Sequence, residues 1–278
     1  MNFKIVSDSS SNVFSFPGIS YASVPLKIIT SAAEYVDNAE LDVEKMVNEV
    51  RATKGKSGTS CPNVSDWLDA FEGADCIFAI TITSKLSGSY ASAYQAGIEY
   101  EGSHPGAKVY VIDSLSAGPE MRLIIEFLGE CINEGLSFEE IKKKVLKYSE
   151  HTHLLFSLES LTNLARNGRV NPAVAKIAGV LGIRVIGAAT EGVLDPLHKV
   201  RGEAKAIDTI YSEMKERGFS GGKVVIAHCF NLNAAESLKE KILTNYPSAN
   251  IVIEPTTALC SFYAERGGLM IAYEDSFQ

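Results

Sequence analysis

The chain has 278 residues, enough for one large or two modest domains, and its 46% hydrophobic and 22% charged content supports a sizeable core without metals or disulfides. A formal net charge of -8 argues against a nucleic-acid surface, which needs clustered Lys and Arg to displace counterions. Five cysteines with no C-x-x-C spacing exclude a disulfide framework and fit a reducing cytoplasm.

The opening "MNFKIVSDSS" lacks the apolar run of a signal peptide, and no segment approaches the ~18 apolar residues of a membrane span, so a soluble cytoplasmic protein is expected. "FKIVSD" (Phe3 to Asp8) reads as a first strand, and "YASVPLKII" (Tyr21 to Ile29) as a second extended piece broken by Pro25. Leu41, Val43, Met46, Val47 and Val50 recur at helical spacing. A polar loop, "KGKSGTSCP", leads into the helix "NVSDWLDAFEG", with Asn63 or Ser60 as its cap and Gly73 as its stop. "CIFAITIT" and "AKVYVID" are apolar on both faces, as central parallel strands are. Between them a helix follows "TSKLSGSY". Residues 117 to 149 carry two helical patterns, the second opened by a Ser137/Glu140 capping box.

Beyond residue 150 the pattern changes. "THLLFSL", "GIRVIGAA", "GVLDPLHKV", "KVVIAHCF", "NIVIEP" and "GLMIAY" are six candidate strands, with helices mainly at "AKAIDTIYSEMKERG" and "NAAESLKEKILTNY". A hairpin around Thr190-Glu191-Gly192 makes this second sheet mixed. The predicted fold is therefore α/β with two lobes: an N-terminal three-layer α/β/α lobe with a parallel sheet over residues 1–150, and a C-terminal two-layer α/β lobe with a mixed sheet over 151–278.

Several motifs fail on their context. "GKS" at Gly55 to Ser57 lacks the first glycine of a phosphate loop, since Val50 stands there, and follows a helix instead of a strand. No G-x-S-x-G elbow or G-x-G-x-x-G fingerprint occurs. His151 and His153 supply two ligands for a metal but nothing nearby completes a set, and His198 and His228 read as ordinary core or surface residues. "KKKVLK" (Lys142 to Lys147) reads as the solvated face of a helix. Two hydroxyl-rich turns remain, "KSGTSCP" and "TSKLSGSY". Either alone reads as a helix cap. Both, however, are expected on the edge of the parallel sheet where strand carboxyl ends and helix N-termini gather, which favours an anion. Without an Arg or Lys clamp, that anion fits a carboxylate better than a polyphosphate.

The motifs "VSDSSSNV", "GTSCP" (Gly58 to Pro62), "TSKLSGSYASA" (Thr83 to Ala93), "VIDS" (Val111 to Ser114) and "LTNLARNGRV" (Leu161 to Val170) resemble, in order and spacing, those of the DegV family over most of the chain. The resemblance implies a bacterial two-lobed protein that holds one long-chain fatty acid in a tunnel between the lobes and presents its carboxylate to a separate fatty acid kinase. It implies no cofactor, no metal and no catalytic residue of the chain's own. Matched residue by residue, Thr59 and Ser87 would hydrogen-bond the carboxylate, and Ser60, Gly88 and Ser89 would shape the site. Arg169 would contact a partner or the head group, or bridge the lobes. One stretch departs: where the family often carries H-x-G-P-G, this chain has Tyr263 for the histidine and Glu265-Arg266 for Gly-Pro, with Arg266 a stand-in cation. Expected partners are the fatty acid, the kinase and, transiently, a membrane; nucleic acid is not among them. "LIIEFLGECI" and "VAKIAGVLGI" are candidate tunnel walls, each equally readable as core. Two other classes stay open: an enzyme using the same anion site, whether serine hydrolase through Ser87 or phosphotransferase, and a lipid-sensing regulatory protein.

Overall fold

The computed structural model describes residues 2–53, 55–171, 173 and 182–276. In chain order the first part holds β1 (Phe3–Asp8), β2 (Ser20–Val24), β3 (Lys27–Thr30), β4 (Glu34–Val36), α1 (Val43–Ala52), β5 (Ser57–Ser60), α2 (Val64–Phe71), β6 (Cys76–Thr81), α3 (Ser89–Ser103), β7 (Lys108–Asp113), α4 (Pro119–Asn133) and α5 (Phe138–Ser149). The second part holds β8 (Thr152–Leu158), α6 (Thr162–Arg166), β9 (Ile183–Thr190), β10 (Val193–Arg201), α7 (Glu203–Glu216), β11 (Lys223–His228), α8 (Leu232–Asn245), β12 (Asn250–Pro255), α9 (Ala258–Ala264) and β13 (Leu269–Glu274).

Helix starts follow from local chemistry. Asp42 caps α1 by accepting from the Lys45 amide at 2.9 Å, and reciprocal capping boxes open α2 (Asn63 with Asp66) and α5 (Ser137 with Glu140). Thus Asn63, and not Ser60, is the α2 cap.

A four-stranded parallel sheet runs β2-β1-β6-β7. Successive residues of β6 alternate between its faces: Ile77 and Ala79 pack with Trp67, Phe71, Ala96 and Tyr100 of α2 and α3. Phe78 and Ile80 pack with Ile124 and Leu128 of α4 and Ile141 and Val145 of α5. This gives the expected three layers. The second sheet, β10-β9-β8-β13-β11-β12, mixes one parallel pair with antiparallel ones. Its hairpin turns at Glu191 (φ 50°) and Gly192 (φ 86°), both left-handed as a two-residue turn of this kind requires.

Three features differ from the sequence expectation. Pro25 divides the second extended piece between two sheets, β2 joining the parallel sheet and β3 a small antiparallel sheet, β4-β3-β5. Ser57–Ser60 is a strand of that small sheet, with Thr59 paired to Ile28. A four-residue strand of Ser, Gly and Thr offers no apolar alternation by which to recognise it. Finally, α4 is buried nearly all round because it serves both sheets: Val225 and Ala272 of the mixed sheet share its core cluster with Ile5 and Phe78 of the parallel one. "LIIEFLGECI" is therefore core, and most of "VAKIAGVLGI" lies outside the described residues. The Lys142 to Lys147 run lies along α5, where Lys144 reaches Glu134 at 3.2 Å. Among the described residues no helix is long and apolar enough to cross a membrane.

At the start of α4, buried Glu120 accepts from Ser116 Oγ and, at 2.8 Å, from Thr152 Oγ1. Burial pushes its carboxyl from 4.5 up to about 7, against the pull of those two hydroxyls. The raised value means the protonated form is favoured on folding. The corresponding stability is complete below pH ~4.5 and is lost as pH rises through ~7. At ~1.4 kcal/mol per tenfold change in the ionisation constant, the swing is on the order of 3 kcal/mol. Glu120→Gln is thus expected to exceed the wild type in stability at pH 8 and to converge with it near pH 5. Denaturant melts at both pH values check this, and a constant difference between the two proteins would contradict it.

Candidate functional site

The strand order of the parallel sheet reverses direction between β1 and β6, and the loops leaving their carboxyl ends diverge there, opening a crevice. The mixed sheet faces that crevice with Leu154, Phe156 and Leu158, alternate residues of β8, and with Met270, paired to Phe156 on β13. Between them lies a cavity of about 280 Å³. Leu26, Ile82 and Leu86 wall it from one side and Leu259, Cys260 and Ala264 of α9 close it from another. Arg169 is its one charged side chain among the described residues, and neither histidine nor carboxylate lines it.

One end is rich in hydroxyls. Thr59 Oγ1 and Tyr263 Oη lie 2.8 Å apart, so one donates to the other and the pair retains one O–H for a ligand. Ser87 Oγ accepts from the Ser89 amide at 3.2 Å, which leaves its own proton able to donate. Ser60, Cys61 and Gly88 complete this end. Gly88 is tightly fitted: a Cβ there would stand 3.2 Å from Cys61 Sγ. Thr59 reaches this place from β5 and not, as the sequence implied, from the edge of the parallel sheet. Neither Thr59 nor Ser87 caps a helix: Asn63 caps α2, and α3 starts at Gly88 without a side-chain cap.

The loop that carries Ser87 is held from four sides. Ile82 and Ser84 amides donate to Asp8 and Asp113 at 2.9 and 3.0 Å. Thr83 Oγ1 donates to the Gly192 carbonyl at 2.9 Å. A Cβ at Gly192 would stand 2.5 Å from that same hydroxyl, so the hairpin tip docks closely only as glycine. The fourth hold is Arg169. Helix α6 ends with Gly168 at φ 71°, its amide bonded to Ala165 O at 3.1 Å and the Arg169 amide to Leu164 O at 2.8 Å. This ending turns the Arg169 guanidinium to Asn167 O and, at 3.1 Å from Nε, to Leu86 O. Arg169 therefore joins the two parts of the chain through a carbonyl and not a salt bridge.

Two candidates fall outside the cavity wall. Ser89 is fully buried and donates to Asp8 at 2.6 Å. Arg266 points away: it pairs with Glu44 at 3.1 Å, stacks on Phe230, and lines a second, more polar cavity of about 530 Å³. It does not line the first cavity, where the resemblance would have put a stand-in cation. His151 and His153 both meet Asp275, at 2.7 and 2.9 Å, and His198 meets Glu213 at 2.6 Å.

Sequence reasoning missed the carboxylates that frame the site. Asp37, at the end of β4, accepts from the Ala258 and Leu259 amides at 2.9 and 3.1 Å and so caps α9 from a distance. Burial pushes its carboxyl up to about 6. Burial also raises that of Asp8, opposed by hydrogen bonds from Ser10, Ser89 and Ile82. An acidic residue closing an apolar strand was the available signal for Asp8; nothing near Asp37 pointed to α9.

A family model matches residues 2–275, that of the uncharacterised proteins of the DegV family. A DegV domain-containing protein of Streptococcus pneumoniae is 43% identical over 99% of both chains. Among solved structures, a DegV family protein from Eubacterium eligens loaded with heptadecanoic acid superposes with a TM-score of 0.97, at 41% identity over 99% of this chain and 100% of that one. The Streptococcus pneumoniae Fatty Acid Kinase B3 protein loaded with linoleic acid gives 0.97 at 42% identity, over 99% of each chain. Motifs, topology and these similarities agree, and the chain belongs to the DegV family.

Proposed function

We propose that this protein binds one long-chain fatty acid in the cavity, tail against the leucine-rich wall and carboxylate at Thr59, Ser87 and Tyr263. It acts without catalytic residues of its own, as a carrier that presents the carboxylate to a separate fatty acid kinase. The observation that carries this reading is a cavity apolar along its walls and rich in uncommitted hydroxyl protons at one end. The relatives loaded with heptadecanoic and linoleic acid support the ligand class, and the kinase B3 relative supports the partner. Residues 1–150 and 151–278 form the two lobes, with the ligand between them; the interval between α5 and β8 is the natural boundary. Among the described residues of the cavity wall, Ser87 has no neighbouring base that would make it a hydrolase nucleophile.

About fourteen buried methylenes at ~0.8 kcal/mol each contribute on the order of 10 kcal/mol before the cost of association. Each hydroxyl bond to the carboxylate adds ~1.5–3 kcal/mol. The tail thus supplies affinity and the hydroxyls supply orientation. Tyr263, unlike an imidazole, cannot become cationic, so the phenol contributes a neutral hydrogen bond only.

The test is to denature the purified protein, extract it with organic solvent and weigh what is released. One equivalent of fatty acid is expected. A protein that comes out empty and takes up no added fatty acid would overturn the reading. Hand-off is tested by adding a fatty acid kinase and ATP, with acyl phosphate as the expected product.

A further inference from the structure

Asp8 makes no contact with the cavity, yet it is fully buried at the point where the strand order reverses. Its Oδ2 accepts from the Ile82 amide at 2.9 Å and from Ser89 Oγ at 2.6 Å. Its Oδ1 accepts from the Ser10 amide at 3.2 Å and from Ser10 Oγ. Ile82 and Ser89 are the two ends of the loop that carries Ser87, so one oxygen atom grips the loop at its entrance and its exit. The exit residue acts directly on Ser87, because the Ser89 amide donates to Ser87 Oγ. Only an acceptor with no proton of its own satisfies four donors at once; an amide in its place turns an N–H₂ toward one pair of them.

From this arrangement we infer that Asp8 is a positioning residue for the fatty-acid head group. It closes the Ile82-to-Ser89 loop so that Ser87 Oγ is engaged by the Ser89 amide and its proton is aimed at the carboxylate. The inference rests on the fatty-acid reading, and its claim is specific: Asp8 acts on the head group and not on the tail. Burying a carboxylate is costly unless hydrogen bonds compensate, and here the compensating donors belong to the loop that presents the ligand contact.

Two ligands of equal chain length separate head-group from tail effects, a fatty acid and the corresponding primary alcohol. The intact wild-type protein is stripped of lipid, and the dissociation constant of each ligand is measured for it and for Asp8→Asn. The substitution is expected to weaken the fatty acid about tenfold or more and the alcohol less than threefold. Equal weakening of both would assign Asp8 a purely structural role and overturn the inference, as would wild-type affinity for both. Should Asp8→Asn not fold, Ser89→Ala decides. It removes one tie, keeps the amide that meets Ser87, and is expected to weaken the acid about threefold to tenfold with the alcohol unchanged; no selective loss overturns the inference. Failure of the wild type to bind the fatty acid would instead overturn the functional reading beneath it.

Discussion

Ala117→Phe is expected to reduce fatty-acid binding below detection while the protein stays folded. Ala117 lines the cavity just ahead of α4, outside any helix or strand and only partly buried. The added ring projects into space that the acyl chain would fill, and methylenes excluded from the cavity forfeit ~0.8 kcal/mol apiece. Over-filling a packed site costs ~1–3 kcal/mol of stability, which for a chain of this size lowers Tm by no more than about 10 °C. Calorimetric titration with a long-chain fatty acid, beside a thermal melt, separates the two effects. Leu194→Trp should narrow the cavity from β10, where Leu194 also lines it, and behave alike. Wild-type affinity in both folded variants would place the tail elsewhere.

The paired substitution Thr59→Ala with Ser87→Ala should have the second largest effect. Each removes one hydroxyl donor to a charged carboxylate, ~1.5–3 kcal/mol, so binding should fall about 10²- to 10⁴-fold for the pair and much less for either alone. Loss of Thr59 also strips Tyr263 of its 2.8 Å partner, so the two phenol and hydroxyl effects should not be additive. The loss should be confined to ligands with a carboxylate. If the double variant binds fatty acid like the wild type, the hydroxyl end is not the head-group site.

Much of the fold was legible because its strands and helices carry strong local signals. β6 read correctly as a central parallel strand from its apolar run; β7, read the same way, is parallel but stands at the edge of the sheet and is only partly buried, and the Glu191-Gly192 turn read as a hairpin from its turn residues. The small β4-β3-β5 sheet was not legible, because β5 is built of Ser, Gly and Thr and is held by pairing with β3. The double role of α4 was equally hidden. Its all-round apolar surface says that it is buried but not between which sheets.

At the site, Thr59 and Ser87 were nameable from their motifs, and Arg169 from its place in "NGRV". Arg266 was misplaced because the chain leaves α9 through Glu265 at φ 54°, and its side chain turns to Glu44 on α1. Charge type alone does not set the direction of a side chain.

Local order along the chain by itself determined most strands of the two larger sheets, the helix caps, the hairpin and the presence of two hydroxyl-rich segments, since each depends on residues within a few positions of one another. Only the tertiary structure decided which hydroxyls meet. Thr59 and Tyr263 stand 204 positions apart, and Asp8 reaches Ser89 across 81. Such pairs depend on the packing of elements far apart in the chain, where burial withdraws water and makes each unpaired donor or acceptor costly.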